Sequence, residues 1–269
     1  MLLTWLYVPG DRPDVVAKAL TAGADAVIVD LEDAVAPDRK EYAREATAEL
    51  LADRPSVPVH VRVNALDGPL AEPDILALTG LPGLAGLRLP KVVSPDQVAR
   101  VAELADSPPL YALLESALGI ERAYAIASAH SALRGLSLGE ADLGADLGVT
   151  APDPGLDWAR ARVVCAARAA GLAPPAQSVF PDVRDLSGLA SSCARGRALG
   201  FLGRAAIHPR QLPVIEQAYL PSASEVAAAE EVVKAAACDA GALALPDGRF
   251  VDAAVVAGAR RTLALAQRL

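Results

Sequence analysis

Charged residues recur in this chain where short apolar runs end. The run AVIVDLEDAV at 26–35 passes from Val27, Ile28 and Val29 directly into Asp30, Glu32 and Asp33. Arg62 and Asn64 close an alternating run at 57–64, and Lys91 stands in RLPKV. Glu115 follows LYALL, and Glu140 and Asp142 open GEADLGADLG. Clustered carboxylates repel one another and are costly to bury unless a cation or hydrogen-bond donors meet them. Several acids facing two or three bases across one opening suit a hard, oxygen-liganded ion such as magnesium beside an anion pocket.

Each residue has a plainer reading as well. Asp30, Glu32 and Asp33 form either an acidic site at a strand end or a set of caps and solvated acids. Glu115 shares parity with Leu113 and Tyr111, so metal ligation is favoured over capping the next helix. Asp142, two residues beyond Glu140 and on the same parity, reads as its partner, with an exposed loop acid as the alternative. Asp146 reads as exposed. Arg62 suits a bidentate carboxylate clamp, or an ion pair with Asp30 or Glu32, and the two are compatible. His60 lies one alternation deeper and reads as a polar floor residue. His208, before Pro209, reads as orienting a loop.

The totals narrow the function classes. The chain has 269 residues, 53% of them hydrophobic, and a formal net charge of -8. That composition suits a sheet buried on both faces. With no long basic run it argues against a nucleic-acid partner. Cys165, Cys193 and Cys238 are far apart and the three histidines are scattered, so neither zinc nor a disulfide framework is expected. The cysteines read as packing residues in a reducing cytoplasm. The start, MLLTWLYVPGDRP, does not read as a signal peptide, and no apolar run is long enough for a membrane span.

The elements that must position these side chains alternate. Strands are expected at 4–8, 26–30, 57–64, 86–92, 110–115, 133–138, 176–180 and 203–207, each followed by a helical stretch. Eight such units predict a (β/α)8 TIM barrel at 1–220, with its chemistry at the carboxyl ends of the strands. An open doubly wound sheet would want a glycine-rich turn after the first strand, and PGDRP is not GxGxxG. A C-terminal helical extension at 221–269 is expected to hold a helix at 224–239, a hinge at LPDGRFVD and a last helix at 253–268.

The runs YVPGDRPD, GADAVIVDLEDAVAPDRKEYAR, VRVNA, RLPKVVS, LLESALG, GFLGRAAIHPRQL and DGRFVDAAVV, together with GEADLGADLG, resemble the citrate lyase beta-subunit-like proteins of the acid aldolase and malyl-CoA lyase superfamily. The resemblance is collinear over nearly the whole chain. It implies a magnesium-dependent carbon–carbon lyase cleaving a 3-hydroxy acyl thioester. Citryl-CoA or a citryl carrier protein, split to oxaloacetate and an acetyl thioester, leads. Malyl-CoA or citramalyl-CoA lyase or synthase activity, or a non-catalytic keto-acid-binding subunit, is the alternative. By the matching motifs Glu115 and Asp142 are metal ligands and Arg62 holds the keto-acid carboxylate. Asp252 matches an acid/base supplied by a neighbouring subunit. Arg12, and with it Lys18, would meet the carrier's phosphates. Asp30, Glu32 and Asp33 then stand behind Arg62 and metal-bound water. The resemblance also implies homotrimers or hexamers, with acyl carrier protein or other lyase subunits as partners. Gln177 departs from an acidic residue that relatives often carry there.

Overall fold

The computed structural model describes residues 1–106, 108–150, 152–238, 243–245 and 248–268. Asp239, at the end of one expected helix, and Pro246 and Asp247, in the expected hinge, lie outside them. The chain divides into two compact units, one of residues 2–215 and one of Met1 with residues 216–269.

The larger unit alternates strand and helix. It begins β1 (Thr4–Pro9), α1 (Pro13–Ala19), β2 (Ala26–Asp30), α2 (Lys40–Leu51), β3 (Val59–Arg62) and α3 (Ala71–Leu78). It continues β4 (Leu84–Leu89), α4 (Pro95–Leu104), β5 (Leu110–Leu114), α5 (Ala117–Glu121), α6 (Ala123–Ala127) and β6 (Leu133–Leu138). Then come α7 (Glu140–Leu147), α8 (Pro152–Gly155), α9 (Asp157–Ala169), α10 (Leu186–Leu199), β7 (Arg204–Ala206) and α11 (Leu212–Tyr219), which runs on into the second unit. Seven strands form one curled sheet in the order β6-β5-β4-β3-β2-β1-β7, all pairs parallel. All five residues of β2 are buried, as expected of a parallel strand covered on both faces. Local signals set the helix starts. Ser94 and Gln97 form a reciprocal capping box ahead of α4, with Pro95 in its first turn.

The expected strand at 176–180 is not a ladder strand. Among the described residues its backbone ladder bonds lie on the β7 side: Leu202 N–H donates to the Pro175 carbonyl (2.9 Å), Gln177 N–H to Gly203 (2.9 Å) and Ala205 N–H to Gln177 (3.0 Å). On the β6 side the Ser178 hydroxyl donates to the Leu138 carbonyl and accepts from Glu140 N–H at 3.3 Å. Pro174, Pro175 and Pro181 flank the segment, and residues without an N–H cannot extend a ladder. A serine hydroxyl therefore stands where a backbone ladder was expected. The helix expected at 118–129 is likewise two short helices, parted where Arg122 leaves helical geometry.

Inside the curl sits an unexpected polar layer. Arg88 is 4% exposed and His60 3%. The guanidinium of Arg88 lies 5.3 Å from the Tyr111 ring centroid and 5.9 Å from that of Trp5. Its Nη1 donates to Ser137 Oγ at 3.3 Å. The His60 ring packs tilted against Tyr111, with centroids 4.7 Å apart. Among the described residues no carboxylate pairs with Arg88, whose charge is held by aromatic faces. Burial, with Arg88 adding to it, drives His60 down to about 3, so the imidazole is neutral. His60 is the expected floor residue; Arg88 was not anticipated.

In the second unit α12 (Ala223–Cys238) and α13 (Ala253–Ala266) pack together, with the antiparallel pair β8 (Leu243–Ala244) and β9 (Phe250–Val251). Ala229, Val232, Leu245, Val251 and Ala259 form its core. No described helix is long and apolar enough to cross a membrane.

The depressed histidine has a measurable consequence. Between about pH 3 and 6.5 the unfolded chain binds a proton at residue 60 that the folded chain refuses, so stability from this residue falls as pH drops through that window. Urea denaturation of wild type against His60→Asn should show the difference shrinking by up to about 1.4 kcal/mol per pH unit on acidification. A pH-independent difference would mean that His60 takes its proton in the folded state.

Candidate functional site

Strand register brings the charged ends level. Asp30 on β2 pairs with Arg62 on β3, and Arg62 with Arg88 on β4. Asp30 is fixed first by its own turn, accepting from Glu32 N–H (2.9 Å) and Ala34 N–H (3.0 Å). It then receives Arg62 in a fork, Nε and Nη2 each at 2.7 Å. The other Arg62 nitrogen, Nη1, faces Glu32 at 3.1 Å and Asp33 at 3.4 Å. The Tyr7 ring lies 5.4 Å from the guanidinium carbon. Burial disfavours the Arg62 charge, but the Asp30 hydrogen bonds outweigh it and hold the group protonated. Removing one partner of such a pair leaves a buried charge uncompensated, typically at about 3–5 kcal/mol.

Lys91 adds the second cation. Its ammonium is 2.7 Å from Glu32 and 3.6 Å from Asp33. Its backbone is left-handed, with φ at 54°, a conformation that costs a non-glycine residue roughly 1–2 kcal/mol. There its N–H donates to Glu115 Oε2 at 2.8 Å. Glu115 is 6% exposed and pushed up to about 7 by burial and by the neighbouring Glu32, with Asp142 adding to the rise. Gly139 exists here for room: a Cβ would lie 2.4 Å from Glu115 Cγ and Oε1.

Asp142 does not sit on a strand continuation. GEADLGADL folds as α7, ended by Gly148 in the left-handed region. Residues two apart on a helix do not face each other, so the shared parity expected for Glu140 and Asp142 fails. Glu140 goes to Arg160, which meets it at 3.0 Å through Nε and 2.5 Å through Nη2. Arg160 also meets Asp157 at 3.0 Å. Asp142 is exposed and still influences Glu115. Asp146 is exposed as expected and also accepts from Ala117 N–H at 2.7 Å.

The structure thus gathers Asp30, Glu32, Asp33, Arg62, Lys91, Glu115 and Asp142 at one rim. Arg12 is exposed after β1, and Lys18 pairs with Asp14 at 3.6 Å on the surface. Asp252 belongs to the second unit, where it caps α13 by accepting from Val255 N–H at 2.9 Å. Gln177 is buried; its amide donates to Ser192 O (3.1 Å) and accepts from Arg204 Nη1 (3.3 Å), so this position holds α10 in place. His208 Nδ1 accepts from Arg210 N–H at 3.1 Å, orienting a turn as expected. Cys193 is buried and Cys165 exposed, so of these two packing describes the first; the side chain of Cys238 lies outside the described ones.

Among the described residues no three His, Cys, Asp or Glu side chains are grouped to hold an ion. Two carboxylates do fit magnesium, which usually keeps several waters and takes one or two carboxylates. An acid raised to about 7 between other acids is where a divalent cation relieves repulsion.

Residues 3–209 match the family model for the HpcH/HpaI aldolase/citrate lyase. A (3S)-malyl-CoA thioesterase of Cereibacter sphaeroides is 36% identical over 98% of this chain and 94% of its own. Citrate lyase subunit beta of Leuconostoc mesenteroides is 32% identical over 98% of this chain and 92% of its own. A crystal structure of protein CitE from Mycobacterium tuberculosis, in complex with magnesium, acetoacetate and coenzyme A, superposes with a TM-score of 0.85. It is 34% identical and covers 98% of both chains.

The tight fit of Gly139 is testable. Gly139→Ala should lose about 1–3 kcal/mol of stability by overpacking, and adding Glu115→Ala should restore most of that loss. If the two variants destabilise additively in chemical denaturation, Gly139 is not making room for Glu115.

Proposed function

The chain belongs to the HpcH/HpaI aldolase/citrate lyase family, and we propose that it is a magnesium-dependent carbon–carbon lyase acting on a 3-hydroxy acyl thioester. Citryl thioester, giving oxaloacetate and an acetyl thioester, is the leading substrate. The observation that carries the reading is Glu115: a buried carboxyl raised to about 7 beside Glu32 and Asp142, at the rim that Arg62 shares. In this reading the segment at 176–180 takes the seventh strand position of a (β/α)8 barrel, and β7 takes the eighth. Coenzyme A or a carrier protein passes near Arg12 and Lys18, and the protein is a cytoplasmic homotrimer or hexamer.

Glu115 and Asp142 would hold magnesium, which supplies Lewis acidity to the substrate's hydroxyl and adjacent carboxylate. Arg62 orients the keto-acid carboxylate. Asp30 fixes its fork from one edge, while on the other nitrogen Asp33, 57% exposed at its side chain and 3.4 Å away, is the partner a substrate carboxylate replaces. Loss of the hydroxyl proton lets the bond between the carbinol carbon and the thioester α-carbon break. The carbinol becomes the oxo group, and the bonding pair leaves on the thioester as an enolate. Asp252, supplied by a neighbouring subunit, then protonates the α-carbon and regains its proton from solvent, which has taken up the one lost from the hydroxyl.

The thioesterase relative favours a second reading, hydrolysis of malyl-CoA. Products separate the two: cleavage yields a keto acid and an acetyl thioester, hydrolysis yields free thiol and intact hydroxy acid. Purified protein with magnesium should release keto acid from citryl-, malyl- or citramalyl-CoA, and Glu115→Ala should abolish that while remaining folded. Free thiol without keto acid would replace the lyase reading by the hydrolytic one, and wild-type turnover in Glu115→Ala would sink the metal assignment.

Asp252→Asn tests the acid/base role apart from the cap, because asparagine caps helices as well as aspartate does. The variant should keep wild-type stability and keto-acid binding and lose at least about tenfold in turnover. Unchanged turnover would leave Asp252 as a cap alone.

A further inference from the structure

We infer that Lys91 is a specificity-determining residue: its ammonium keeps Glu32 out of the metal's coordination, leaving the ion to Glu115 and Asp142 and so favouring magnesium over calcium. The inference rests on the metal reading of Glu115 and Asp142 given above.

One residue meets two neighbouring acids in two different ways. The left-handed backbone of Lys91 turns its N–H onto Glu115 Oε2 at 2.8 Å, while its ammonium reaches Glu32 Oε1 at 2.7 Å. Arg62 Nη1 is 3.1 Å from the other Glu32 oxygen. The ammonium thus holds Oε1 by a hydrogen bond, while Oε2 faces the guanidinium at ion-pair distance without accepting a hydrogen bond. Glu115 receives from Lys91 a neutral donor, which positions the carboxylate without cancelling its charge. A lysine in a backbone region that side chains rarely adopt is otherwise hard to explain, since Glu115 needs only the N–H. Strained positions of this kind persist where the surroundings demand them.

The consequence follows from coordination chemistry. Magnesium demands near-octahedral geometry, keeps waters and takes few carboxylates, whereas calcium accepts six to eight oxygens and gains from each added carboxylate. Lys91 joins the two acids, its N–H on Glu115 and its ammonium on Glu32, so Glu32 stands one lysine side chain away from Glu115. Releasing its Oε1 from the ammonium would offer a third carboxylate and shift preference toward calcium.

The test is isothermal titration of the full-length apoprotein with magnesium and, separately, calcium, with thermal unfolding as a check of folding. The variants are Lys91→Met, Lys91→Arg, Glu32→Gln, Lys91→Met with Glu32→Gln, and Glu115→Gln. Methionine keeps the backbone N–H and the side-chain length while removing the charge. Lys91→Met should raise calcium affinity relative to magnesium about tenfold. Glu32→Gln in the same chain should cancel the rise, and Lys91→Arg should keep the wild-type ratio. An unchanged ratio in Lys91→Met, or a rise that survives Glu32→Gln, overturns the inference. So does a changed ratio in Glu32→Gln alone, which would make Glu32 a ligand already and decides the matter even if Lys91→Met fails to fold. Lost binding in Glu115→Gln with an unchanged ratio in Lys91→Met overturns this inference alone; wild-type binding in Glu115→Gln overturns the metal site and the inference with it.

Discussion

The fork between Arg62 and Asp30 is the contact on which the rim depends. A buried ion pair offsets its desolvation only when geometry is good and the remaining hydrogen-bonding capacity is met. Here both bonds are 2.7 Å, and two backbone N–H groups complete the carboxylate. The pair ties the ends of adjacent strands and commits one edge of the guanidinium. What Arg62 has left goes to Glu32 and Asp33, and Lys91 reinforces the same two acids. Five carboxylates thus share two cations, and the shortage falls on Glu115. Its rise to about 7 is the local record of that imbalance, on top of burial.

Beneath the rim the problem is reversed. Arg88 carries a charge away from water, met by ring faces and by the hydroxyls of Ser137 and Tyr7, and burial lowers its pKa. The burial of His60, with the field of Arg88 adding to it, keeps that imidazole neutral. The interior is therefore short of negative charge while the rim has too much. Arg62, adjacent to Arg88 in the register, lies between the two layers, and its acids shield the like-charge contact.

Much of the fold was legible before any coordinates. The parallel order, the start of α4 and the burial of β2 follow from period, capping residues and apolar runs. Rim membership of Asp30, Arg62, Lys91 and Glu115 follows from their places at strand ends, because alternation sets which way a strand residue points. The misses have specific causes. Prolines flank the segment at 176–180, a signal that could have demoted it to a bridge. GEADLGADL carries helix formers after a glycine, and Gly148 just beyond is a stop signal, yet it reads as a loop if strand parity is simply extended. Arg88 shares a tripeptide with nothing acidic, and one arginine in RLP gives no hint that it lies inside the curl of the sheet.

Sequence alone determined the kinds of group available, the strand ends that carry them and the family motifs they form, because these are local properties of spacing and residue type. Tertiary structure decided which acid pairs with which base. Asp30, Glu32 and Glu115 are equivalent as letters, all carboxylates after apolar runs. Only register and the left-handed turn at Lys91 give the first a fork, the second two cations and the third a neutral donor. The difference is electrostatic and depends on distances across four strands, which no window of the chain contains.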